Sequence, residues 1–197
     1  MNIRFDKKYE KLYLALIAGL SGLGLTPRCV LEIPPGKNRL HRIFGLIQSC
    51  RSSIHDLLRV ELSQGQPRCP RFNMPFELGL AVGWAQASPG KHNWFVVESM
   101  KFRLQKSLSD LNGFEVFVHN GTVNGLLDEL TNVFVRAGYE VDVGDLAVLY
   151  RDLRKFAEAL KKRPGSHDLF RPQAFFRLVI ASQEFARRRG FVSKRES

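Results

Sequence analysis

The chain has 197 residues, and 30 Lys+Arg against 19 Asp+Glu give it a formal charge of +11. A chain of this length buries roughly 70% of its unfolded surface, so it builds a core without disulfide or metal staples. Its 44% apolar and 25% charged residues exclude wholesale disorder.

The basic balance raises nucleic acid or an acidic surface as a partner class, with a weight that depends on where the charge sits. Cys29, Cys50 and Cys69 form no CxxC pair. That argues against a disulfide framework and a zinc knuckle, and free thiols fit a reducing cytosol. His41, His55, His92, His119 and His167 show no HExxH or i,i+4 pairing, so no metal site is expected.

The first element is the apolar run from Leu12 to Leu25, preceded by Lys7, Lys8 and Lys11. It mimics a signal peptide, but Asp6 and Glu10 dilute the basic region and no A-x-A site follows. The run is shorter than the roughly 20 apolar residues a bilayer span needs, which predicts a buried helix ending in glycines and no membrane partner. Arg28 to Ile33 reads as a short strand stopped by Pro34-Pro35-Gly36. Leu40, Ile43, Phe44, Ile47 and Cys50 then fall at helical spacing. Ser53 to Leu57 is a strand end, and residues 64–70 are a loop rich in turn formers.

A helix starts near Asn73-Met74-Pro75, with Asn73 as its cap and Glu77 in its first turn. His92–Glu98 and Glu115–His119 are strands, and residues 123–137 form an amphipathic helix ended by Gly138. This alternation predicts an α/β fold with a mostly parallel sheet and helices on both faces. From Asp145 onward the chain reads as two helices, stopped by Pro164-Gly165 and Gly190, with Pro172 opening the second. Residues 146–197 carry 13 Lys+Arg and 5 Asp+Glu, or +8, leaving 17 against 14, or +3, for residues 1–145. The organisation expected is an α/β domain over 1–144 and a basic helical extension over 145–197.

Asp56 at a strand's carboxyl end and Glu77 in the next helix both face the crevice where parallel sheets bind ligands. The helix N-terminus there suits anionic groups. A carboxylate pair is suited to N-glycosidic chemistry, because it can attack or stabilise an oxocarbenium-like centre. Spacing alone leaves the bland reading open: first-turn acids complement the helix dipole, and strand-end Asp residues make turns.

The string Pro70-Arg71-Phe72-Asn73-Met74-Pro75-Phe76-Glu77-Leu78-Gly79-Leu80-Ala81, preceded by Ile54-His55-Asp56-Leu57, resembles nucleoside 2-deoxyribosyltransferases and bacterial TIR-like domains. Ile3-Arg4-Phe5-Asp6-Lys7-Lys8-Tyr9 partly matches their opening segment, with Arg4 where a proline is expected. The resemblance spans roughly residues 3–137 and implies a flavodoxin-like fold. It implies Glu77 as the essential glutamate and Asp56 as the aspartate that assists at the sugar. It places Phe5, Asp6 and Tyr9 beside the base or ribose, and Asn73 and Met74 along the crevice. Arg59 and Arg71 would hold phosphates or carboxylates, with His55 next to Asp56. It also implies a homo-oligomer and a role of the kind such bacterial proteins have in phage defence.

The leading expectation is an intracellular, cytoplasmic enzyme that cleaves or exchanges an N-glycosidic bond of a nucleotide or nucleoside. NAD enters as a substrate and no cofactor is required. The alternative is a non-catalytic nucleotide-sensing module with a partner-binding basic tail. Nucleic-acid binding through that tail ranks third, because no reading motif accompanies it.

Overall fold

The computed structural model describes residues 1–33, 38–57, 72–134, 141–163 and 168–191. The fold is α/β: a small open sheet of three parallel strands with helices packed beside it, consistent with a flavodoxin-like arrangement. The chain divides into two compact units, Met1–Arg4 with Ile33–Gly121, and Phe5–Glu32 with Thr122–Ser197.

The first unit holds the sheet. Its strands are β1 (Ser52–Asp56), β2 (Asn93–Glu98) and β3 (Val116–Val118), in the order β1-β2-β3. Register places Asp56 beside Val97 and Glu98 beside Val118. The amino-terminal stub contributes one parallel bridge, Asn2 to His55, on the free side of β1. Helices α2 (Arg39–Gln48) and α3 (Asn73–Ala87) precede and follow β1, and α3 packs on β1 and β2. The core of this unit joins Leu57, Leu78, Val96 and Leu104, with Met74, Trp94 and Val116 against them. Alternation along β2 sends Trp94, Val96 and Glu98 to one face. In both β1 and β2 burial deepens toward the carboxyl end.

The second unit is helical. Helix α1 (Glu10–Gly22) is buried around nearly its whole circumference, as expected of a helix apolar on all sides. It packs against α5 (Val123–Val133), α6 (Val143–Lys161) and α7 (Pro172–Arg188). Its glycines permit the close approach. A Cβ on Gly19 would stand 2.5 Å from Leu130 Cδ1, and one on Gly22 would overlap Leu146 Cδ2. Tyr13 Oη donates to the Leu169 carbonyl at 3.3 Å. Arg189 pairs with Asp152 at 2.5 Å, tying the end of α7 to α6. No helix among the described residues is long and apolar enough to cross a membrane.

Several sequence expectations are corrected. Residues Arg28 to Ile33 do not form a strand; Val30–Glu32 is a 3-10 turn. The cause is local. Glu32 accepts from the Cys29 backbone N–H at 3.0 Å and from Arg28 Nε at 3.0 Å, so the segment satisfies itself instead of joining the sheet. Asn73 is not a cap. The Phe76 N–H reaches the Phe72 carbonyl, so Phe72 is the boundary residue and Asn73 the first helical one. The first turn of α3 therefore holds no acid, and Glu77 lies just beyond it. Helix α5 ends at Val133, short of residue 137; Gly138 lies outside the described residues. Helix α4 (Arg103–Ser107) is too short to carry a periodic signal and is not among the expected elements. The helices after residue 145, set apart as an extension from the sequence, share one core with α1 and α5.

Candidate functional site

Three parallel strands side by side end in buried ionisable groups. Asp56 closes β1, Glu98 closes β2, and His119 follows the last residue of β3. Asp56 and Glu98 are each 1% exposed and His119 0%. Their proximity follows from the register, since the Leu57 N–H bonds the Val97 carbonyl and the His119 N–H bonds the Glu98 carbonyl. Two carboxylates and an imidazole at the carboxyl edge of a parallel sheet occupy the position where such folds hold ligands.

His119 Nδ1 accepts from the Gly121 N–H at 3.1 Å. The ring proton is then on Nε2, which lies 3.4 Å from Asp56 Oδ2. Glu98 is held differently. Its Oε1 accepts from the Ser99 N–H at 2.8 Å, and Arg103 Nε donates to Oε2 at 2.9 Å. The same guanidinium donates to the Leu57 carbonyl at 2.5 Å, so Arg103 straps the ends of β1 and β2 together. Burial nevertheless raises the Glu98 carboxyl above its ordinary range, and the nearby Asp56 charge adds to the rise against the lowering by Ser99 and Arg103. Phe102, directly before Arg103, is 70% exposed with φ at 64°. A bulky residue in the left-handed region carries strain of about 1–3 kcal/mol, which is stored where surrounding contacts fix the chain.

Asn2 brings α3 to this edge. Its backbone N–H bonds the Ile54 carbonyl, its carbonyl accepts from the Asp56 N–H, and its Nδ2 donates to the Met74 carbonyl at 2.9 Å. Leu57, next to Asp56, and Leu78, next to Glu77, belong to the same core cluster. Glu77 is half-buried, and burial raises its carboxyl while Arg39 at the start of α2 partly opposes the rise. Among the described residues Glu77 has no ion-pair partner. A half-buried carboxylate with a raised pKa is the kind of group a reacting acid or nucleophile uses.

The remaining expected residues are distributed as follows. His55 sits in β1, one residue before Asp56. It is the centre of a buried chain in which Asn2 Nδ2 donates to His55 Nδ1 at 3.0 Å and His55 Nε2 donates to Ser53 Oγ at 2.8 Å. Ser53 Oγ then donates to His92 Nε2 at 2.9 Å, and His92 Nδ1 to the Cys50 carbonyl at 2.8 Å. Asn73 is exposed, and Met74 packs on the core cluster. Phe5, Asp6 and Tyr9 belong to the helical unit. There Phe5 packs edge-on to Tyr13 and Phe170, Asp6 accepts from the Tyr9 N–H at 2.9 Å, and Tyr9 is 2% exposed. Arg59 and Arg71 lie outside the described residues.

Sequence reasoning missed Glu98, Arg103 and His119. For Glu98 and His119 the signal was present, because each ends a strand run just as Asp56 does. Among the described residues no group of three or more His, Cys, Asp or Glu is disposed to hold a metal ion. Comparison with family models, curated proteins and solved structures finds no match for this chain.

Proposed function

We propose that the chain acts on the N-glycosidic bond of a nucleotide or nucleoside at the carboxyl edge of the sheet. The observation that carries this reading is Glu77, half-buried with a raised carboxyl pKa on the helix that packs on β1, the strand that ends in Asp56. A poorly solvated carboxylate is a stronger nucleophile than a hydrated one. Glu77 attacks the anomeric carbon as the bond to the base breaks, and the base leaves with the bonding pair and takes up a proton. Water, or a second base in a transfer reaction, then displaces Glu77. The buried Asp56 charge stabilises the oxocarbenium-like centre through a medium of low dielectric. The resemblance to deoxyribosyltransferases and TIR-like domains supports the same assignment, and NAD or a nucleoside is the substrate class.

A nucleotide-sensing module without turnover is the second reading. The observation favouring it is Asp56, which is 1% exposed and set against His119. Incubation with NAD and a nucleoside panel, followed by chromatography for free base, separates the two. Base release supports the enzyme, whereas calorimetric binding without base release supports the sensor.

A further inference from the structure

At the opposite edge of the sheet, around the amino ends of β2 and β3, lies a groove of about 550 Å³. That volume falls within the range of small-molecule sites. Four aromatic rings line it. Trp94 and Phe114 stand 4.8 Å apart between centroids, and Phe95 and Phe117 stand 6.4 Å apart. Phe114 is 48% exposed, although it sits at the groove wall.

The groove carries an acid and two amides, Glu115, Gln86 and Asn93. Glu115 is its carboxylate, and among the described residues neither Lys nor Arg lines it, although the chain as a whole carries +11. Glu115 has no ion-pair partner among the described residues. His92 also lines the groove, but both its ring nitrogens are bonded within the buried chain, to Ser53 and to the Cys50 carbonyl. Ala85 and Gln86 bring in the last turn of α3, which contains no basic residue. The carbonyls of a helix end carry partial negative charge and favour a cation. Aromatic faces do so as well, through their quadrupoles. Rings, carboxylate and helix end therefore select the same charge.

We infer that this groove binds a small organic cation, an ammonium group carried on an aromatic or alkyl body. The cation sits against the Trp94 and Phe114 faces with Glu115 as its counter-charge, while Gln86 and Asn93 offer amides at the rim. It is a site separate from the carboxyl edge and requires no turnover there.

The test uses the full chain and three probes of one shape: benzylammonium, benzyl alcohol and benzoate. Binding is followed by the fluorescence of Trp94 in a Trp84→Phe background and by calorimetry. Benzylammonium is expected to bind, benzyl alcohol more weakly, and benzoate not at all. Glu115→Gln, at an exposed position, is expected to weaken benzylammonium about threefold, as for an exposed charge pair. Phe114→Ala is expected to weaken it further. Equal binding of benzyl alcohol, any binding of benzoate, an unchanged affinity in Glu115→Gln, or no binding of benzylammonium to the folded chain would overturn the inference.

Discussion

The buried chain from Asn2 to the Cys50 carbonyl makes His55 a pH-dependent element of stability. Asn2 Nδ2 donates to Met74 and to His55 Nδ1, so Nδ1 must accept and His55 must be neutral. Protonation would set two donors face to face. Burial, with the amino-terminal charge and His92 adding to it, lowers the His55 pKa from 6.5 to about 3. The unfolded chain takes up this proton as pH falls through 6.5, while the folded chain does not until about 3. Stability is therefore fully present above 6.5 and is lost progressively toward 3. At about 1.4 kcal/mol per pH unit, the loss between pH 7 and pH 5 is about 2 kcal/mol.

Glu77 and Glu98 have the opposite sign, because their raised carboxyls favour the protonated folded state. The informative quantity is thus a difference. Urea unfolding of wild type and His55→Gln at pH 7 and pH 5 should show about 2 kcal/mol more acid loss in the wild type. Glutamine retains an acceptor and a donor but does not titrate. A difference below about 0.5 kcal/mol would refute the reasoning. So would a His55 ring signal in the folded protein that titrates near 6.5, a readout that does not depend on the variant folding.

Other consequences follow from packing and charge. Gly22→Ala drives a methyl into Leu146, at a cost of about 1–3 kcal/mol offset by about 1 kcal/mol of helix propensity, so thermal denaturation should show a net loss near 1 kcal/mol. Gly79→Ala meets nothing within 4 Å and should instead stabilise by about 0.5–1 kcal/mol. Arg103→Met leaves Glu98 buried without its cation and should cost about 2 kcal/mol or more, with a larger loss at pH 8 than at pH 5 because Glu98 must then ionise unpaired. Glu77→Gln removes a carboxyl whose raised pKa lets stability fall as pH rises out of the carboxylate range. Its unfolding free energy at pH 7 should therefore match or exceed that of wild type.

The longer helices and the three strands are legible from apolar runs, helical or alternating spacing and stop signals, whereas α4 is too short to carry any. The apolar run at Leu12–Leu25 was read as a buried helix, and α1 is one. Arg28 to Ile33 misled because its β-branched and apolar residues suit a strand, whereas Glu32 closes the segment on itself through contacts that composition does not reveal. The site was partly legible. Asp56 and Glu77 stood out by position, yet Arg103 sits on a helix too short to anticipate and reaches Leu57 across 46 residues of sequence. The resemblance implies Phe5 and Tyr9 as ligand contacts, but Tyr9 is buried in the helical unit and Phe5 packs on Tyr13 and on Phe170, a residue far away in sequence.

The net charge is divided between the two units, with 12 Lys+Arg against 6 Asp+Glu in the sheet unit and 18 against 13 in the helical unit, where Arg188 pairs with Glu184 and Arg189 with Asp152. It does not describe the carboxyl edge, which is governed by acids.

The role of Glu77 at the glycosidic bond is tested by base release from NAD and from a nucleoside panel, wild type beside Glu77→Gln under identical conditions. Free base is expected with the wild type and a loss of about a hundredfold or more in the variant, the scale of a group acting on the reacting bond. Base release that survives unchanged in Glu77→Gln, or a folded wild type that releases no base from any of these substrates, would contradict it.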